Sequence, residues 1–304
     1  MSGGGDSTRA ILFALGANFA IACAKGVAAF FTGSGAMLAE TVHSLADCGN
    51  QLLLMLGMKQ ARRAPSADYP LGYGKAIYFW SFLVALMLFS VGGMYSIYEG
   101  VHKLQHPEPL RQWWWAVAVL VFGIVAEGMS MRACLQEVKK ARGDRSLWQW
   151  FRESRQAELV VIFGEDLAAL AGLVLALLAV VLSVVTGDPI WDAIGTLAIG
   201  LLLVVVAVFV AVEVKALLIG QSMDPDREHE VRAFIAACPE VASVISLITL
   251  QLGNDVMLSV QAEMTPADSA DALIEAINRV ERAVKQRFPE VRWSFFEPDS
   301  RSGD

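Results

Sequence analysis

The chain has 304 residues, 55% of them hydrophobic, and its mean hydropathy of +0.49 lies outside the range of soluble domains. A formal net charge of −7 argues against nucleic acid as a partner, since that ligand calls for a basic face. Four cysteines (Cys23, Cys48, Cys134 and Cys238) show no paired spacing, which excludes a disulfide framework and a zinc knuckle.

Residues 1–9 are Gly/Ser-rich and are expected to form a disordered tail. Six apolar runs follow, at residues 10–32, 37–58, 77–101, 113–134, 159–185 and 190–214. Each is long enough to span a bilayer, which takes about 20 residues, so residues 10–214 are predicted to be a domain of six transmembrane helices. Lys25 interrupts the first run and no processing site is obvious, so it reads as a mature helix. Basic residues gather after the second run (Lys59, Arg62, Arg63, Lys75) and after the fourth (Lys139, Lys140, Arg142, Arg145, Arg152, Arg155). The first and fifth connections hold none, which predicts that both termini are cytoplasmic. Trp113, Trp114 and Trp115 open the fourth run as an aromatic belt at the opposite interface.

After a linker at residues 215–223 the character turns soluble. Asp224-Pro225 starts an amphipathic helix at 226–238, and strands at 241–252 and 256–264 flank a Gly253-Asn254 turn. A charged helix at 269–287 and a strand at 291–296 complete the order αββαβ. Residues 224–300 therefore predict an α+β, ferredoxin-like cytoplasmic domain, small enough that pairing with a second copy is expected.

Ionisable residues inside apolar runs mark function. His43 and Asp47 stand four apart in the second run, which puts both on one face of a helix. An imidazole and a carboxylate converging on one point suit a divalent transition metal. The fifth run carries its own acids, Glu165 and Asp166, and two such helices predict one shared ion site. Each residue also has a plainer reading. His43 and Asp47 would serve as a polar pair between helices, Asp166 as a counter-ion to Lys25 or His43, and Glu165 as a proton acceptor facing a wet vestibule. Glu127 reads as a relay or a snorkelling side chain, and Lys25 as snorkelling or paired with Glu40. Asn18 and Asn50 read as hydrogen bonders between helices, Asp192 as the start of its own helix, and Cys48 as core. His102 and His106 read as loop histidines.

The stretch at residues 35–47, Gly-Ala-Met-Leu-Ala-Glu-Thr-Val-His-Ser-Leu-Ala-Asp, resembles the second helix of the cation diffusion facilitator family. Leu71-Gly-Tyr-Gly-Lys75 and Asp192-Ala-Ile-Gly-Thr-Leu resemble the starts of its third and sixth helices, so the resemblance covers nearly the whole chain. It implies a homodimer, joined through the C-terminal domain, that exports Zn²⁺ (or Mn²⁺, Fe²⁺ or Co²⁺) from the cytosol in exchange for protons. The ion is substrate, no organic cofactor is implied, and the chain is not an enzyme. The expected setting is the inner or plasma membrane of a bacterium.

The resemblance further implies four ligands, His43 and Asp47 from the second helix and two from a His-x-x-x-Asp pattern in the fifth. Asp166 matches the last position of that pattern, but Ile162 stands where its histidine would be. Glu165-Asp-Leu-Ala-Ala-Leu-Ala-Gly172 resembles a subgroup with a Glu-Asp fifth helix, which adds Glu165. Three carboxylates with one imidazole would overcompensate a doubly charged ion unless one acid stays protonated or the cavity is wet. Histidines that bind further metal in some members are replaced here by Tyr69 and Tyr73 in the loop and by Ile245, Gln261 and Phe296 in the tail. Two other classes stay open: a non-transporting metal sensor or assembly partner, and a membrane-embedded metalloenzyme. The second wants an added nucleophile or base, and the chain has no His-Glu-x-x-His pattern.

Overall fold

A computed structural model describes residues 4–300, with side chains from Leu15 onward except Ala17. Helices α1 (Gly4–Thr32), α2 (Gly35–Ala61), α3 (Ala76–Gln105), α4 (Trp113–Arg142), α5 (Leu147–Glu153), α6 (Ala157–Thr186) and α7 (Ile190–Ile219) come first. Then follow α8 (Pro225–Ala236), β1 (Val241–Leu252), β2 (Asp255–Met264), α9 (Ala270–Arg287) and β3 (Val291–Pro298).

Among the described residues four helices, α3, α4, α6 and α7, are long and apolar enough to cross a membrane. Six were expected. Helix α2, at 27 residues, is nearly as long, but Glu40, His43 and Asp47 interrupt its apolar face, and the described apolar part of α1 is Asn18–Thr32. Helix α1 begins at Gly4, inside the tail expected to be disordered; once an apolar stretch has nucleated a helix, adding residues to its end costs little. Residues 1–3 of that tail lie outside the described residues. Helix α7 likewise runs to Ile219, into the expected linker.

The chain divides into two compact units. The first comprises residues up to Leu56, Trp80–Asp144 and Glu158–Val214. Its core gathers Met37, Leu88, Leu120, Leu173, Ile199 and Leu203, while Phe30, Phe122, Val185 and Leu201 stay exposed on its outside. So much exposed apolar surface fits lipid rather than water. Within α3, Leu88–Met94 form a π-helical turn, and the Ser90 and Ser96 hydroxyls donate to the Leu86 and Gly92 carbonyls at 2.7 Å. Glycines bring α3 and α7 into backbone contact there. A Cβ on Gly200 would lie 2.7 Å from the Ile97 nitrogen, and one on Gly93 would lie 2.7 Å from Val204 Cγ2.

The second unit comprises Gly57–Phe79, Arg145–Ala157 and the chain from Lys215 onward. Its sheet has the order β1-β2-β3, with β2 antiparallel to β1 and parallel to β3. Alternation along β2 buries Val256, Leu258, Val260 and Ala262 against Val231 and Ile235 of α8 and Val280 and Val284 of α9. Gly253, at φ +71°, makes the tight turn between β1 and β2. Asp224 caps α8 ahead of Pro225, and Ser269 caps α9 by accepting from the Ala272 amide at 3.1 Å. Two segments from earlier in the chain are built into this unit. The Tyr78 hydroxyl accepts from the Gly253 amide at 2.8 Å, Arg145 pairs with Asp224 at 2.7 Å, and Arg155 donates to the Ser222 carbonyl at 2.6 Å.

Candidate functional site

Helix α2 carries a polar stripe of Glu40, His43, Asp47 and Asn50, whose spacing of three, four and three keeps them on one face. Glu40, His43 and Asn50 are 0% exposed. His43 Nε2 lies 3.6 Å from Asp47 Oδ2, too far for a hydrogen bond. Both His43 ring nitrogens, Asp47 Oδ1, Asn50 Oδ1 and Glu40 Oε1 are buried with no hydrogen-bond partner. Each such atom costs about 1–3 kcal/mol, more than a polar pair serving only to join helices would carry. Gly92 of the π-helical turn borders the imidazole, since a Cβ there would lie 3.9 Å from His43 Nδ1.

Helix α6 supplies the facing acid. Asn50 Nδ2 donates to Glu165 Oε1 at 2.5 Å. Asp166, about 100° further round the helix, instead accepts from the Ser130 hydroxyl of α4 at 3.2 Å. Ile162, four residues before Asp166, is 39% exposed. The structure thus brings His43 and Asp47 together and links Glu165 to their stripe through Asn50, while Asp166 bonds to α4. Among the described residues, no three His, Cys, Asp or Glu side chains stand close enough to hold a metal ion together.

Lys25 is fully buried and donates to Glu40 Oε2 at 3.2 Å and to Ser44 Oγ at 2.7 Å, so of its two expected roles the ion pair is the one found. Asp192 sits in the first turn of α7, as expected, and in addition accepts from the Ser34 hydroxyl and from the Gly35 amide at 2.7 Å, serving the start of α2 as well. Unsatisfied amides at a helix N-terminus attract a carboxylate from whichever element can reach them. In the tail, Gln261 donates to Asp299 at 2.7 Å, and His229 Nδ1 lies 2.7 Å from the Pro225 carbonyl one turn earlier. The sequence reading missed that Glu40 and Asn50 extend the His43–Asp47 face; the three-four-three spacing was the signal for it.

Residues 11–219 match the family of the cation efflux transmembrane domain. The chain is 29% identical over 308 aligned positions to the proton-coupled zinc antiporter SLC30A9, mitochondrial, of Xenopus laevis, covering 88% of this chain and 55% of that protein. It is 35% identical over 231 positions to metal tolerance protein C4 of Arabidopsis thaliana, covering 75% and 50%. With the manganese efflux system protein MneP of Bacillus subtilis (strain 168) the identity is 23% over 286 positions, 91% of each chain. The chain spans about half the length of the first two of these relatives.

Proposed function

The chain belongs to the cation diffusion facilitator family, whose members are transporters rather than enzymes, and on that premise we propose that it exports a divalent transition-metal cation from the cytosol in exchange for protons. Zn²⁺ is the favoured substrate, with Mn²⁺, Fe²⁺ and Co²⁺ as the alternatives. In this reading its ligands are His43 and Asp47 of α2 with Asp166 and Glu165 of α6, which close on the ion as it binds. The observation that carries this reading is the buried His43 imidazole, both of whose nitrogens lack a partner, one turn from Asp47.

Metal binding requires a neutral imidazole and ionised carboxylates, so metal and protons compete for the same atoms. That competition is the coupling. In this reading α1, α2, α3, α4, α6 and α7 are the six spans of a membrane domain at residues 10–214, and both termini face the cytosol. A linker at 215–223 leads to the ferredoxin-like domain at 224–300, through which two copies pair. The membrane is the inner or plasma membrane of a bacterium. The glycine contact of α3 with α7 lets the bundle rock between inward and outward access. Nitrogen with oxygen donors suits zinc, and an oxygen-rich set also admits manganese; the named relatives include one for each metal.

Purified protein in proteoliposomes that enclose a metal-sensitive dye tests the reading. An imposed pH gradient is expected to accelerate Zn²⁺ uptake, with protons moving the opposite way. Metal binding with no response of metal movement to the gradient would favour the non-transporting sensor instead.

A further inference from the structure

We propose that the buried Lys25–Glu40 ion pair is the barrier on the release side of the site, a gate that holds the outer half of the bundle shut until the cation leaves. The inference rests on the transport reading above and on its orientation, with both termini in the cytosol.

In that orientation α2 runs from the outer face at Gly35 to the cytosol at Ala61. Glu40 precedes His43 by three residues, so it lies about 4.5 Å nearer the outer face on the same stripe. An ion leaving His43 outward therefore meets Glu40 next. There Lys25 reaches across from α1, donating to Glu40 Oε2 at 3.2 Å and to Ser44 Oγ at 2.7 Å, and both charged side chains are 0% exposed. Two further helices close in around the pair. A Cβ on Gly172 of α6 would collide with Glu40 Oε1, and one on Gly123 of α4 would lie 3.7 Å from Lys25 Cε. Four helices thus converge on one solvent-inaccessible ion pair.

Stability alone does not call for charge here, because apolar side chains of similar volume often replace a buried pair at no cost. What charge adds is a closure that water can undo. Once the outer side opens, both ions regain their hydration, whereas two apolar side chains parted in water would gain nothing. The pair is also held incompletely, since Glu40 Oε1 has no hydrogen-bond partner. As a fixed positive charge on the exit, Lys25 opposes leakage of cations while the gate is shut.

Uptake by Lys25→Met/Glu40→Leu in proteoliposomes tests the gate, with thermal unfolding and equilibrium Zn²⁺ binding in nanodiscs as controls. The apolar plug is expected to keep the parental binding affinity while lowering the saturated uptake rate by about tenfold or more. A parental uptake rate in the folded variant overturns the inference, because a pair that only joins helices changes stability and not turnover. Lys25→Met/Glu40→Met gives the same reading should the leucine variant fail to fold. The exchanged pair, Lys25→Glu/Glu40→Lys, restores a closure that water can open, and its uptake is expected to recover above that of the apolar variants. An exchanged pair that folds and is as slow as they are also counts against the gate. If His43→Ala and Asp47→Ala transport every divalent ion as the parent does, the site itself is wrongly assigned, a result distinct from failure at the gate.

Discussion

In the second unit, the buried polar side chains of Thr249 and Gln251 are both engaged: Thr249 donates to Glu228 at 2.6 Å, and Gln251 donates to the Gly253 carbonyl, also at 2.6 Å. In the membrane unit, the stripe on α2 buries five polar atoms that bond to nothing. The tail uses buried polarity to set its fold, and each satisfied bond adds about 1 kcal/mol. The α2 stripe does the reverse and keeps its donors and acceptors available. A chain tolerates that arrangement where a ligand offsets the desolvation, so the place where hydrogen bonding fails is the place where the substrate is expected.

The largest expected effect tests the membrane side of this contrast. His43→Ala and Asp47→Ala should each lower gradient-driven metal uptake by about a hundredfold, leaving the denaturation midpoint of the tail where it was. Parental uptake of every divalent ion by both variants would break the contrast. Next comes the Lys25–Glu40 pair, buried on both sides. Lys25→Met strands an acid and is expected to cost about 3–5 kcal/mol in thermal unfolding, most of which returns in the Lys25→Met/Glu40→Leu double variant. Third, Leu258→Ala opens a cavity in the tail core for about 2–5 kcal/mol, while metal affinity of the folded protein stays unchanged. A fall in affinity there would mean that the two units do not divide their tasks as their polar chemistry suggests.

The smallest effect lies on the tail surface. Arg279 donates to Glu240 at 2.8 Å and holds its carboxyl below the usual value of 4.5. A lowered acid stabilises the fold above its ordinary pKa, and that contribution fades as pH falls through the folded value. Arg279→Ala should therefore cost about 0.5 kcal/mol above pH 4.5 and progressively less below it, read from denaturation midpoints across pH.

The tail was legible because its signals are local. Asp224-Pro225 and Gly253-Asn254 each act within a few residues, and the observed helix start and hairpin turn fall on them. The membrane unit was legible where hydropathy alone decides, as in α6 and α7, and less so where a partner decides. Glu165 and Asp166 are neighbours in sequence, and only the packing of α6 shows that the first bonds to Asn50 and the second to Ser130. Asp192 stands in the first turn of α7 as its position predicts, but its second role at the start of α2 was hidden, since the donors involved lie 157 and 158 residues away. The π-helical turn at Leu88–Met94 has no signature in composition, because it depends on how Gly92 and Gly93 meet α7 and His43.

That wide turn gives α3 a spare residue. Deleting one position anywhere else in a helix rotates every side chain beyond it by about 100° and ruins its packing. Removing one between Leu88 and Met94 instead lets the turn tighten into ordinary α-helix while the flanking faces keep their neighbours. A membrane helix that can take in or release a residue's worth of winding beside His43 can twist one half against the other with its ends held still.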